Sequence, residues 1–296
     1  MVTTIAALAA LWFTSQSLKA NNDQFGLARQ NAVTERFAKA VEQLGDKDRL
    51  DVRLGGIYLL GRLAADSPSD RPAIFDVLSA FVRTHTPNSP ECGADLSSAI
   101  FKETVVSDDV RAVFTVIGRR DRLGSEKIDF SRTCFAGVDL SDLDLRGVSF
   151  RHANLTGAKL RSVDLDHADL SDTVLRWADM AGAKLTGASL AQAKMSNATL
   201  DGADLTAADL QGVDLRNAFV SDARMDRAFF DTADLRGAVF ATQPLSVYRE
   251  DVKDSEVGKW TAFDTMFEGA YFGLAEVDDQ TIWPPGFMPT LTDRPH

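Results

Sequence analysis

Residues 203–212 read Ala203-Asp204-Leu205-Thr206-Ala207-Ala208-Asp209-Leu210-Gln211-Gly212, two turns of a five-residue pattern that decides the fold. Written in fives from Ile128 to Phe240, the chain shows two columns of apolar or small residues. The first holds 15 alanines among 23 entries, with Val, Thr, Ile and Leu filling the rest. Only Thr133 and Thr173 bring a hydroxyl into it. The second column, two residues later, runs from Phe130, Phe135, Leu140 and Leu145 to Phe240, mostly as Leu. The residue between them is Asp or Asn in 11 of 23 repeats.

A spacing of two then three fits neither regular element. On an α-helix a five-residue step rotates an apolar position by about 140°, so no stripe persists. On a straight strand the odd step sends it to alternate faces. The columns stay inward only if the chain turns a corner in every repeat. Glycine stands two places after the second column in 8 repeats, including Gly137, Gly157, Gly187 and Gly212, which suits that corner. All nine prolines lie outside 128–240, as a ladder of backbone N–H donors requires. A solenoid follows.

The Ala-(Asp/Asn)-Leu pattern over these 113 residues resembles the pentapeptide-repeat family. That resemblance implies a mainly β fold, a right-handed, four-sided β-helix in which the Ala and Leu columns point inward. Four repeats make a coil there, so 23 repeats imply nearly six coils and a shaft of roughly 27 Å. The segments 34–45 and 50–58 are similar to the helical part of membrane-anchored members from actinobacteria and cyanobacteria.

The N-terminal part reads as helical. Val33, Phe37, Ala40, Val41 and Leu44 share one helical face, with Gly45 as a stop. Leu50, Leu54, Ile57, Leu60, Gly61 and Ala64 make a second face. Ile74, Phe75, Leu78, Phe81 and Val82, behind Pro72 in a first turn, make a third. Ser107 stands where it can cap a fourth helix carrying Val110, Val113, Phe114 and Ile117, which in turn caps the solenoid start. Such stripes are packing surfaces before they are ligand sites. Val2 to Leu18 is a run of 17 uncharged residues, at the lower limit for a bilayer span. Lys19, Arg29, Arg36 and Lys39 follow it, so an inserted helix leaves the bulk of the chain cytoplasmic; a buried helix is the alternative.

The domain reading is therefore 1–22 membrane anchor, 23–120 helical domain and N-terminal cap, 121–240 repeat β-helix, and 241–296 insertion, C-terminal cap and tail. Trp260, Phe263, Met266, Phe267, Tyr271 and Phe272 are the candidates for that last cap. Thr265-Met266-Phe267 and Ala270-Tyr271-Phe272 read as repeats resuming after an insertion at about 241–264.

Charge narrows the function. The net −11 comes from the C-terminal half: 17 Asp against 12 Lys and Arg over 128–240, and 10 acidic against 4 basic over 241–296. A nucleic-acid-binding stripe is disfavoured. Phosphate-loop, dinucleotide, zinc-protease and calcium-loop patterns are lacking, and the four histidines, His85, His152, His167 and His296, are spread without ligand spacing. No metal or cofactor is expected. Asn154 and Asn197 begin glycosylation-type triplets, which a cytoplasmic location would void. The Asp column reads as repeat scaffolding, its side chains bonding backbone groups beside each corner. Cys92 and Cys134 are too few for a disulfide framework and suit a reducing compartment.

Sorted onto a four-sided shaft, three sides sum to −3, −3 and −1. The fourth carries Arg176, Lys194, Arg216 and Arg236 against Asp214 and Asp234, for +2, with Trp177 at its corner. Exposed Trp and Arg favour interfaces, so these five residues are the candidate partner-binding site. The expected function is a non-catalytic, protein-binding or structural scaffold at the bacterial inner membrane, crossing it once, or else soluble in the cytoplasm. Its protein partner is unspecified, and a homodimer is allowed for. The alternative that the resemblance brings is a DNA-mimicking inhibitor of a type II topoisomerase such as DNA gyrase.

Overall fold

The computed structural model describes residues 24, 28, 30–89, 92, 106–120, 127–240 and 270–284. The chain divides into two compact units, Met1–Ile74 and Phe75–His296. Among the described residues, no helix is long and apolar enough to cross a membrane. The candidate anchor 2–18 lies outside the described residues.

The first unit is built from α1 (30–44), α2 (Leu50–Asp66) and the start of α3 (Arg71–His85). Gly45 ends α1, its N–H donating to the Val41 carbonyl at 3.1 Å. Asp46 then accepts the N–H groups of Asp48 and Arg49 at 3.1 and 2.9 Å, turning the chain into α2. The two helices touch at Gly56, where a Cβ would stand 2.7 Å from the Ala40 carbonyl oxygen. Ala40, Leu44, Ile57, Leu60, Leu63 and Ala64 form the buried face. Val41 and Leu50, expected on it, sit at its edge with 36% exposure each.

In the second unit, Phe75, Leu78, Phe81 and Val82 of α3 are buried as the sequence predicts. So are Val110, Val113, Phe114 and Ile117 of α4 (Asp108–Ile117). Ser107 occupies the N-cap position of α4, but its hydroxyl makes no capping bond. Its carbonyl accepts from Arg111 at 3.0 Å, and the Asp109 carboxylate accepts the Val110 N–H at 2.9 Å.

From Asp129 onward the chain winds with a constant step. Every residue in a parallel bridge is the middle of an Ala-x-Leu-type triplet, and each pairs with the residue 20 positions ahead, from Asp129↔Ser149 to Phe219↔Val239. One pentapeptide contributes one bridged residue, because the chain turns before a second can pair. The β structure therefore consists of ladders of single bridges, not extended strands.

The bonding scheme recurs through the middle coils. Around Leu155, the middle-residue N–H donates across the coil (Asn154 to Thr133, 2.9 Å), and the second-column N–H donates the other way (Leu155 to Val174, 2.7 Å). The corner N–H also reaches the next coil (Gly157 to Arg176, 2.7 Å), while the first-column N–H closes the turn (Ala158 to Leu155, 3.0 Å). That accounts for four of five donors.

Inside, both columns are packed out: Ala153, Leu155, Ala158, Leu160, Ala198 and Leu200 are each fully buried. Each enclosed Leu contributes roughly 1.5–3 kcal/mol. The two intruding hydroxyls are bonded, Thr133 to the Phe130 carbonyl at 2.6 Å and Thr173 to the Phe150 carbonyl at 2.9 Å.

Both ends of the stack are aromatic. At the start, Phe114 of α4 lies edge-on to Phe130 and Phe135, with ring centroids 5.1 and 5.3 Å away, so the helix plugs the first coil. Thr86–Asn88 covers an open edge: Pro87 bridges Thr133 antiparallel, and the Cys134 N–H donates to Thr86 at 2.7 Å. Arg120, just past α4, closes another edge, donating to the carbonyls of Ile117, Asp144 and Arg146. At the far end the ladders resume as Phe229↔Tyr271, a step of 42, or 22 residues beyond the regular 20. Phe272 stacks on Phe230 at 4.9 Å and Trp283 on Phe240 at 4.8 Å. Tyr271 does not join this plug. It holds a middle position, 46% exposed, against the outward ring of Phe229 at 5.6 Å. The other cap candidates, Trp260 to Phe267, lie outside the described residues.

The cysteine reading is corrected. Cys92 and Cys134 form a disulfide with Cα atoms 5.8 Å apart, across 42 residues. Docking of 86–88 on the first coil brings them together, and spacing in the sequence carries no trace of that. A disulfide belongs with oxidising surroundings.

Candidate interaction surface

Each corner of the solenoid is a residue in the left-handed region. All 22 corner positions from Arg132 to Gly237 have positive φ, and 14 of them are not glycine. The residue just before each corner turns its backbone N–H back toward the middle-column side chain two positions earlier. The fifth donor of the pentapeptide is satisfied in that way. All 11 middle-column Asp and Asn residues accept, through Oδ1, the N–H two residues ahead. Distances run from 2.8 Å at Asp129 to 3.4 Å at Asp144. The carboxylates are thus engaged by the backbone they shape, as the scaffolding reading expects. Asn154 is held at both atoms, its Nδ2 also donating to the Cys92 carbonyl at 2.9 Å. Among the described residues, no group of three or more His, Cys, Asp and Glu could hold a metal ion.

The five candidate residues fall along one ladder. Val174, Lys194, Asp214, Asp234 and Glu276 pair in succession, and Arg176, Arg216 and Arg236 follow two residues behind ladder members. The structure draws most of these charges into a chain of ion pairs. Arg216 lies 2.8 Å from Asp214 and 3.4 Å from Asp234 on the next coil. Arg236 lies 2.5 Å from Asp234 and 3.5 Å from Glu276. Hydrogen bonding to Asp214 and Asp234 raises the pKa of Arg216 and Arg236, respectively. The Arg216 guanidinium, followed by the Arg216 N–H, holds Asp214 below the usual carboxylate range against the effect of burial.

Glu276 was not placed on this face from sequence, because the 22-residue insertion hides its register. Asp278, which like Glu276 acts on Arg236, adds a further negative charge, so four cations against Asp214, Asp234, Glu276 and Asp278 leave no net charge, not +2. Lys194 is exposed and Trp177 stands at the corner, 44% exposed with φ of 56°. The candidate site is therefore a strip with Trp177 and Lys194 accessible and Arg216 and Arg236 engaged. Two other outward aromatics, Phe219 and Phe229, are 51% and 55% exposed on other ladders. They occupy middle positions where the column consensus is Asp or Asn, which is the signal that marks them in the sequence.

A family model described as pentapeptide repeats matches this chain over residues 133–172, 168–206 and 203–241, with eight copies. Solved structures similar to it include a pentapeptide-repeat protein, Rfr23, from the cyanobacterium Cyanothece 51142, at 23% identity. That match covers 51% of this chain and 71% of the other, with a TM-score of 0.26. QnrB1, a plasmid-mediated fluoroquinolone resistance protein, is similar at 23% identity over 56% and 78% of the two chains, TM-score 0.27. The pentapeptide-repeat protein alr5209 from Nostoc Pcc 7120 is 30% identical over 36% and 70%, TM-score 0.20. No curated protein matches the chain.

Proposed function

We infer, from the membership of residues 133–241 in the pentapeptide-repeat family, that the chain is a non-catalytic scaffold whose coils present side chains to a protein partner. The observation that carries this reading is that every middle-column Asp and Asn accepts a backbone N–H through Oδ1. The column is thereby accounted for by its structural role, with no carboxyl set apart from the rest as a general acid or base would be. We read the coil as right-handed and four-sided, supported by the 20-residue step with one bridge and one left-handed corner per pentapeptide.

Partner contact is assigned to the Trp177 strip, with Lys194 beside it and Arg176, Arg216 and Arg236 as its charged border. An exposed Trp held at a strained corner is costly for folding alone, and Trp is over-represented in the centres of interfaces. The DNA-mimic alternative is less well supported. Lys184 with Asp164, Arg161 with Asp179 and Arg224 with Asp204 interleave cations among the carboxylates. The anchor role of 2–18 is part of the same proposal. The test is a crosslinked pull-down from the native host with the full chain, against a Trp177→Ala/Lys194→Glu bait. A reproducible partner lost with the double variant supports the strip; undiminished recovery sinks it.

A further inference from the structure

The shaft is acidic, yet basic side chains gather at its first corner. Arg132 and His152 stand one coil apart in the same corner column, with φ of 58° and 59°. The Arg132 N–H donates to the Arg151 carbonyl at 3.0 Å, which fixes the two coils in register there. Asn88 ties down the rim, donating its N–H to the Arg132 carbonyl at 2.9 Å and its Nδ2 to the His152 carbonyl at 3.1 Å. From the end of α3, Arg83 donates to the Asp129 carbonyl at 2.5 Å and lies 3.2 Å from its carboxylate.

Arg83, Pro87, Ser131, Arg132, Arg151 and His152 together line an open cavity of about 610 Å³. The carboxylates beside it are already engaged. Asp129 serves Arg83, and Asp172 lies 3.7 Å from Arg151 and 3.8 Å from His152. Three guanidiniums therefore face two carboxylates, and Arg132 has no ion-pair partner among the described residues. A guanidinium presents a planar fork of N–H donors that matches phosphate oxygens two at a time. The volume falls in the range of small-molecule pockets, well beyond a single anion.

We propose that this cavity binds a small phosphorylated molecule, with Arg132 and Arg151 gripping the phosphate and Ser131 adding a hydroxyl. The site is separate from the Trp177 strip and does not depend on it.

The test is calorimetric titration of the full-length protein with pyrophosphate in low salt, repeated for Arg132→Gln, Arg151→Gln and, as a charge control, Arg227→Gln. Circular dichroism verifies that each variant keeps its fold. The proposal expects saturable one-site binding, weakened about tenfold or more by Arg132→Gln or Arg151→Gln, since each removes a charge-assisted bond. Arg227→Gln leaves it unchanged, and succinate binds more weakly than pyrophosphate. Absence of saturable binding overturns the proposal. Equal weakening by Arg227→Gln does so too, by showing unspecific charge attraction, and succinate binding as tightly as pyrophosphate removes the phosphate assignment.

Discussion

Phe114→Ala tests the idea that α4 is the plug of the solenoid. The ring is 2% exposed and lies edge-on to Phe130 and Phe135 at interplanar angles of 64° and 66°. Truncating a buried Phe costs about 3–5 kcal/mol, including the cavity it leaves. The lost edge-to-face pairs, each about 0.5–1.5 kcal/mol, are part of that figure. In a stack of repeats each coil touches only its neighbours, so the loss should be local. Hydrogen exchange resolves it residue by residue. The amides of Phe130, Phe135 and Leu140, which donate across coils to Ser149, Asn154 and Lys159, should exchange roughly 10²–10³ times faster. The amides of Phe230 and Leu235 should keep their protection. A change below about tenfold at the first coil, or an equal change at both ends, would refute the plug.

Four further outcomes are expected. Asp209→Ala leaves the Gln211 N–H, now bonded at 3.1 Å, without its acceptor, and should cost about 1 kcal/mol in urea unfolding, with Asp209→Asn costing less. Gly147→Val meets no atom within 4 Å but forces a β-branched residue to φ of 66°, so its cost of about 1–2 kcal/mol in the same assay should come from the backbone alone. The carboxyls of Asp139, through the Ser141 N–H, and Asp214, through Arg216, are held below their ordinary range. Their stabilisation is thus complete above pH ~4 and lost as pH falls through the folded values, so Asp214→Asn should flatten the acid side of a stability-against-pH curve. Cys134→Ala opens a loop of 42 residues and should cost about 4 kcal/mol, read as a lower urea midpoint for oxidised protein only. Acid-quenched alkylation of whole cells reads the same bond in place: free thiols support the cytoplasmic side implied by Lys19, Arg29, Arg36 and Lys39, and blocked ones the opposite side.

The sequence is most transparent where one interaction repeats. Ala153 and Leu155 recur with the same spacing in coil after coil, so burial, the corner and the Asp acceptor could all be read from one column. Gly137 and Gly157 marked the corner even though Arg132, Asp142 and His152 take the same bend without glycine. The ends are opaque for the opposite reason. Phe114 on Phe130, Thr86 on Cys134 and Arg120 on the Asp144 carbonyl each occur once, between segments brought together only by folding. The Cys92–Cys134 bond is of that kind. Glu276 beside Arg236 was hidden by the 22 residues inserted between Phe229 and Tyr271, which shift every later position off the five-residue count. On the candidate strip the cations were legible, but the carboxylates beyond the insertion and the engagement of Arg216 with carboxylates of two coils were not. Charge counting assigns signs to faces and is blind to which cation a neighbouring coil neutralises.

The 20-residue step underlies the coil, the corners and the caps, and one measurement reaches it directly. In deuterated, uniformly labelled protein, scalar coupling across a hydrogen bond links a donor nitrogen to its acceptor carbonyl. Coupling from the Leu155 nitrogen to the Val174 carbonyl, and from Leu175 to Lys194, is the predicted result. Coupling of those nitrogens to carbonyls at any other spacing would contradict the coil, and with it the strip, the corners and the cap built on it.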